Sequence, residues 1–185
     1  MKLTRLFTTL ILAVAALVAI SSSLQAQSAS DLDRDSAKAL RWLYANNPKA
    51  REFGKKAHAV LVFPNVIKGG FFIGAAGGNG VLFKNGEVDS YYNTSAISYG
   101  LQFGGQTYGY ALFFMNNKAI SYLHNSEGWE IGVGPSIVVV DAGAAKSYSS
   151  TTAQKDIYAF IFDQKGLMAG LGVQGSKITE YYPSE

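Results

Sequence analysis

The stretch Val81-Leu82-Phe83-Lys84-Asn85-Gly86-Glu87-Val88 decides the fold. Both central residues of a type I′ turn need positive φ, and Asn-Gly is the pair that supplies it with least strain, so the stretch reads as a β-hairpin. Working outward, short apolar runs broken by turn residues continue on both sides. Upstream, His58 to Phe63 is strand-like with Pro64 closing it, and Phe71 to Ala76 and Val81 to Phe83 flank a Gly-rich bend. Downstream come Ala96 to Phe103, Tyr108 to Met115, Ala119 to Leu123, Trp129 to Val133, Ile137 to Val140, Ile157 to Phe162, Leu167 to Val173 and Lys177 to Tyr182. Asn116-Asn117 and the segment from Asp163 to Gly166 mark turns, and Ala142 to Gln154 is a long polar interruption. So many strands at short spacing argue against alternating βαβ units.

The front of the chain is different. Asp31 to Asn46 predicts a helix, with Ser30, Asp31 or Asp33 capping its first turn and Asn46, Asn47 and Pro48 stopping it. At 100° per residue, Leu32, Ala39, Leu40 and Leu43 share one side, Arg34, Lys38 and Arg41 the opposite side, and Trp42 falls on the boundary. A second short helix opens with Asn47 as cap and Pro48 at its first position, ends near Gly54, and brings Lys49 and Arg51, followed by Lys55 and Lys56. The expected class is α+β: N-terminal helices packed on a predominantly antiparallel β-sheet sandwich or barrel.

Charge follows the same division. Residues 34–68 hold eight Lys/Arg against two Asp/Glu, a local net of +6, whereas residues 69–185 hold six against nine. A cationic front on a near-neutral body points to an anionic surface as partner. Nucleic acid is not expected, because no zinc-finger spacing or basic heptad region is present.

Residues 1–26 read as a signal peptide. Lys2 and Arg5 form a positive n-region, Leu10 to Ile20 an unbroken apolar run, and Ser21 to Ala26 the small and polar residues before cleavage. As a helix the run covers about 16 Å, short of the ~30 Å hydrocarbon core. Cleavage is expected after Ala26, with Ser28 the alternative. Residues 27–185 then form one domain, exported to the periplasm, the envelope surface or the medium. The 185-residue chain has no cysteine, so neither disulfides nor lipoprotein modification is available to it.

Catalytic chemistry has few candidates. His58 and His124 lie far apart with no acid at ligand spacing from either, so no metal and no cofactor is expected. Gly69-Gly70, Gly74, Gly77, Gly78 and Gly80 lead into another strand rather than a helix, which reads as close backbone approach and not as a phosphate loop. A serine hydrolase would have to draw on Ser136, Asp141 and His124, but Gly134-Pro135-Ser136-Ile137 is not a nucleophile elbow. The chain is expected to be non-enzymatic.

Several stretches resemble the SYLF domain family from about Asp35 to Tyr182. Lys56-Ala57-His58-Ala59-Val60-Leu61-Val62 is similar to the family's Ala-Lys-Gly-Leu-Ala-Ile segment. Lys68-Gly69-Gly70-Phe71-Phe72-Ile73-Gly74 and Gly77-Gly78-Asn79-Gly80-Val81-Leu82 are similar to its Lys-Ala-Gly-Phe and Gly-Ser-Gly-Val pair. The run from Ser95 to Gln106 resembles its Ser-Ala-Ile…Gly-x-Gly-x-Gly-Gly-Gln signature, and the run from Lys165 to Ser176 resembles Lys-Gly-Leu-Phe-Ala-Gly-x-Ser-Leu-Glu-Gly-Ser. The resemblance implies binding of phosphoinositide or other acidic phospholipid by an N-terminal helix and neighbouring basic residues. In fungi and animals it also implies an actin role. Here Val140 to Lys146 replaces a Gly-Pro-x-Gly-Arg stretch and lacks its arginine, and the leader places the chain outside the cytosol, so actin is not expected as a partner.

The expected lipid-binding residues are Arg34, Lys38, Arg41, Trp42, Lys49, Arg51, Lys55, Lys56, Lys68, Phe71 and Phe72. Each cation near an anionic membrane is worth roughly 1 kcal/mol, so three on one helix fall short of the ~4 kcal/mol of a millimolar complex without further cations or an apolar anchor. The competing expectation is an eight-stranded outer-membrane barrel or other structural envelope protein. Such a barrel wants strands of ~10 residues and has no place for a charged helix in front.

Overall fold

The computed structural model describes residues 27–130, 133–140, 155–166 and 176–184, and the side chains of residues 71–73 and 98–103 lie outside that description. Helix α1 spans Ala29–Asn46 and α2 spans Pro48–Gly54. Strands β1 (Ala59–Lys84) and β2 (Glu87–Phe114) follow, then helix α3 (Asn117–Asn125), then β3 (Trp129–Glu130), β4 (Ile137–Val140), β5 (Ile157–Gly166) and β6 (Ser176–Glu180).

The hairpin at Asn85-Gly86 is the spine of the molecule. Asn85 has φ 55° and Gly86 φ 85°, the left-handed pair that the turn requires. From it β1 and β2 run antiparallel from Lys84↔Glu87 to Ala59↔Phe114. Strands of 26 and 28 residues replace the several shorter ones expected from the turn residues. Pro64 does not close its strand. It lies in a register shift between Phe63 and Val66, a bulge where a residue without an N–H costs the ladder nothing. The Gly-rich segment likewise stays extended. β1 curls until a Cβ placed on Gly78 would lie 2.6 Å from the Asn65 carbonyl, and one on Gly80 would lie 2.5 Å from the Phe63 ring.

On its other edge β2 pairs with β6 through Tyr92–Ala96 and with β5 through Gln106–Phe114, and β4 adds to β5 in parallel. The α+β class holds and the sheet is largely antiparallel. The expected sandwich or barrel is corrected to a single curled, mixed sheet: the six strands share one hydrogen-bonded array, and no described pairing closes it. The run Ala119 to Leu123 is helix α3 and not a strand. Asn116 accepts from the Ala119 amide at 2.9 Å as an N-cap, and Ala119, Ile120 and Leu123 then share a buried helical face. The run Leu167 to Val173, the polar interruption and residues 1–26 lie outside the described residues.

Both faces of the sheet are covered where the chain is most apolar, which explains runs of Val, Leu and Phe in place of clean alternation. Val60, Val62, Phe113 and Phe160 pack on one face with Leu43 and Ala50 from α1 and α2. Leu61, Phe63, Leu112 and Phe114 pack on the other with Ile120 and Leu123 of α3 and with Trp129. The helix cap is Ser28 and not Ser30, Asp31 or Asp33 as expected: its hydroxyl accepts from the Asp31 amide at 3.2 Å. Ser28 also bridges Ser184 in parallel, and the Ala29 amide donates to the Ser184 carbonyl at 3.1 Å.

Candidate functional site

Helix α1 buries Leu32, Ser36 and Leu43 against the sheet, so the side 180° away must face water. Arg34, Lys38 and Arg41 are all exposed there, as their spacing predicts. Their surroundings differ. Arg34 Nη1 is 2.7 Å from Asp31 Oδ1, and its Nε is 3.3 Å from Asp35 Oδ1. Asp31 first, then Asp35, push the guanidinium pKa up from its ordinary value. Among the described residues, Lys38 and Arg41 have no carboxylate within ion-pair distance.

Helix α2 contributes unequally. Its cap Asn47 accepts from the Ala50 amide at 3.0 Å, with Pro48 at the first position as expected. Arg51 Nε donates to the Tyr44 carbonyl at 2.9 Å, in the last turn of α1, so its guanidinium lies at the end of the helix that carries Arg41. Lys55 is exposed at the end of α2. Lys49 and Lys56 share Glu52, each at 3.0 Å, and Lys49 also lies 5.6 Å over the Phe53 ring. Hydrogen bonds from Lys49 first and then Lys56 hold the Glu52 carboxyl below its usual range.

Three of the expected residues stand apart. Lys68 is only 6% exposed, opposite Gln106 in the sheet, so its ammonium is not part of the surface row. The backbones of Phe71 and Phe72 belong to β1, and their side chains lie outside the described residues. Trp42, by contrast, is at the edge of the row, 44% exposed, with its indole stacked 6.0 Å from the Phe162 ring.

Beside Trp42 the structure adds a groove of about 750 Å³ between α1 and the curled part of β1. Asp35, Lys38 and Trp42 form one wall, and Asn65, Ile67 and Gly78 the other. Asp163 also lines it, and Ile67 is an apolar residue left 60% exposed. Sequence reasoning misses this site because its walls are far apart in the chain. The one local signal is Gly77-Gly78, which lines the groove where the backbone of Gly78 lies close against Asn65 and Val66 of the same strand.

Of the hydrolase cast, the described pair Ser136 and His124 is not brought together. Ser136 Oγ donates to Asp156 Oδ2 at 2.7 Å and accepts from the Asp156 amide at 3.0 Å. His124 Nδ1 is 2.9 Å from the Tyr92 hydroxyl, and its Nε2 is 3.6 Å from Asp89. The two side chains belong to separate networks, and Asp141 lies outside the described residues. Among the described residues no cluster of three His, Asp or Glu is placed to hold a metal ion, and no helix is long and apolar enough to cross a membrane.

Residues 95–183 match the family model Ysc84, described as Las17-binding protein actin regulator. The match begins inside β2, so α1, α2 and β1 precede it. No curated protein matches the chain.

Proposed function

We propose, from the premise that residues 95–183 make this chain a member of the Ysc84 (SYLF) family, that it is a non-catalytic lipid-binding protein that docks on anionic phospholipid through the exposed row on α1 and α2. The family is a lipid-binding one, which supports the coarse role. The finer reading rests on one observation: Lys38 and Arg41 stand unpaired among the described residues on the solvent side of α1, with Trp42 at their border. Lys38, Arg41, Arg51 and Lys55 at roughly 1 kcal/mol each give about 4 kcal/mol, a millimolar complex. Indole insertion by Trp42 and the exposed Ile67 supply the apolar part that turns this weak attraction into residence. Arg34, Lys49 and Lys56 contribute less, since Asp31, Asp35 and Glu52 offset them. Export to a bacterial envelope, with phosphatidylglycerol-type lipid as the surface met there, completes the proposal.

The test is co-sedimentation with phosphatidylglycerol vesicles at low salt. The double variant Lys38→Glu/Arg41→Glu loses at least about 2 kcal/mol of attraction, roughly 30-fold in affinity. Unchanged sedimentation of the variant, with an unaltered circular dichroism spectrum, removes α1 from the mechanism. Raising the salt from about 0.1 M to 1 M shortens the screening length from ~10 Å to ~3 Å and should release the wild-type protein as well.

A further inference from the structure

We propose that the groove between α1 and β1 receives the ethanolamine-phosphate head of a phospholipid, an inference that rests on the membrane-surface reading above. Lys38 meets the phosphate, and Asp35 and Asp163 meet the ammonium. The groove carries both signs of charge: one ammonium, Lys38, against two carboxylates. It is therefore unlike the all-cationic row next to it. A head bearing only negative charge would gain Lys38 and be repelled by both acids, whereas a head that brings its own ammonium pairs with every charged side chain present.

The aromatic wall agrees with this polarity. Phe162 supports the Trp42 indole and directly precedes Asp163, so an aromatic edge and a carboxylate border the same opening. A cation gains from both. Asn65 and Asn79 line the groove with side-chain amides, the Asn79 Oδ1 already accepting from Asn93 Nδ2 at 2.8 Å, and a primary ammonium has three N–H bonds to donate where a quaternary one has none. The groove's volume falls within the ~300–1,000 Å³ of small-molecule sites. Asp35 and Asp163 already hold exposed partners, Arg34 Nε at 3.3 Å and Lys165 Nζ at 3.0 Å, and such solvent-facing pairs exchange readily for a ligand ammonium. Ile67 at the opening is placed against the glycerol and upper acyl carbons.

The experiment compares the purified full chain on four vesicle types: phosphatidylcholine alone, and phosphatidylcholine with phosphatidylethanolamine, with phosphatidylglycerol, or with both. The expected result is that phosphatidylethanolamine raises affinity about fivefold at a fixed phosphatidylglycerol content. The variant Asp163→Asn should abolish that gain and keep the phosphatidylglycerol binding. Asp163 sits at φ 49°, a region Asn tolerates, so this variant keeps the backbone. Phosphatidylglycerol binding with no ethanolamine gain, or a gain that survives Asp163→Asn, overturns the groove proposal and leaves the surface reading standing. Failure to bind any vesicle overturns both. Micromolar saturation by soluble O-phosphoethanolamine without a vesicle gain assigns the groove to a free ligand and overturns the lipid source.

Discussion

Gly80 and Asp31 carry the sharpest expectations at the scale of single residues. A Cβ on Gly80 meets the Phe63 ring and the Val62 carbonyl at 2.5 Å, and backbone cannot yield as a side chain can. Gly80→Ala should therefore cost about 1–3 kcal/mol in urea unfolding. Gly77→Ala, whose new carbon would meet only the Thr94 carbonyl at 3.5 Å, is the matched control and should cost less. Asp31 works against the proposed docking surface by holding Arg34. Asp31→Asn should raise affinity for phosphatidylglycerol vesicles about fivefold, near 1 kcal/mol. Loss of an acid from the first turn of α1 should lower stability by ~0.3–1 kcal/mol. Vesicle titration and thermal melts of the same sample separate the two effects. The acids at Asp31 and Asp35 are plain in the sequence, three residues before and one after Arg34. A charge count that starts at Arg34 passes over Asp31 and Asp33 and makes the front look more cationic than the folded helix is.

Among the elements, α3 was the least legible. A five-residue apolar run has no period of its own, and Asn116-Asn117 reads equally as a turn or as a cap. Tertiary packing decides: capping by Asn116 turns Ala119, Ile120 and Leu123 onto one face of the sheet core. The same Asn116 donates from Nδ2 to Asp156 Oδ1 at 2.9 Å, tying the start of α3 to the start of β5. Asn116→Ala should cost about 1–2 kcal/mol by equilibrium unfolding. A pH effect accompanies it. The Ser136 amide first, then the Ser136 hydroxyl and Asn116, hold the Asp156 carboxyl below its usual range. A depressed carboxyl stabilises above its unfolded value near 3.9, and that contribution disappears as pH falls through the folded value. Asn116→Ala should thus flatten the acid limb of the stability profile below about pH 4, measured as melting temperature against pH. Elements with strong local chemistry were legible from the start: the Asn85-Gly86 hairpin, the Asn47-Pro48 opening of α2, and the two sides of α1.

For the whole molecule, the sheet's curvature and its two covered faces matter most, and neither has a local signature. The sequence shows strands and turn residues but not that Pro64 and the glycines are crossed without a break. The groove follows from that curl, so it too was hidden, whereas the cationic side of α1 could be placed by periodicity alone. Burial of tyrosine in the resulting core gives a global expectation. Burial first, with nearby Asp89 and Glu180, pushes the Tyr92 hydroxyl up to about 12, and complete burial pushes Tyr110 up as well. A phenol raised above its unfolded value near 10 contributes stability that is intact below that value and is lost as pH rises through the folded one. The protein should unfold cooperatively above about pH 10, with part of the phenolate absorbance appearing only as the circular dichroism signal collapses. Tyr92→Phe should shift that alkaline limb upward.

The contact of Ser28 with Ser184 has a topological consequence. Because these two positions lie side by side while Gly86, at the far tip of the hairpin, faces open space where a Cβ would stand, the connectivity can be rewired: a short tether joining 184 to 28 and a new opening at Asn85-Gly86 would give a circular permutant with every strand pairing retained. In such a molecule β2 would lead the chain and the cationic helix would sit in its interior, which would detach the proposed docking row from any dependence on being near the amino terminus.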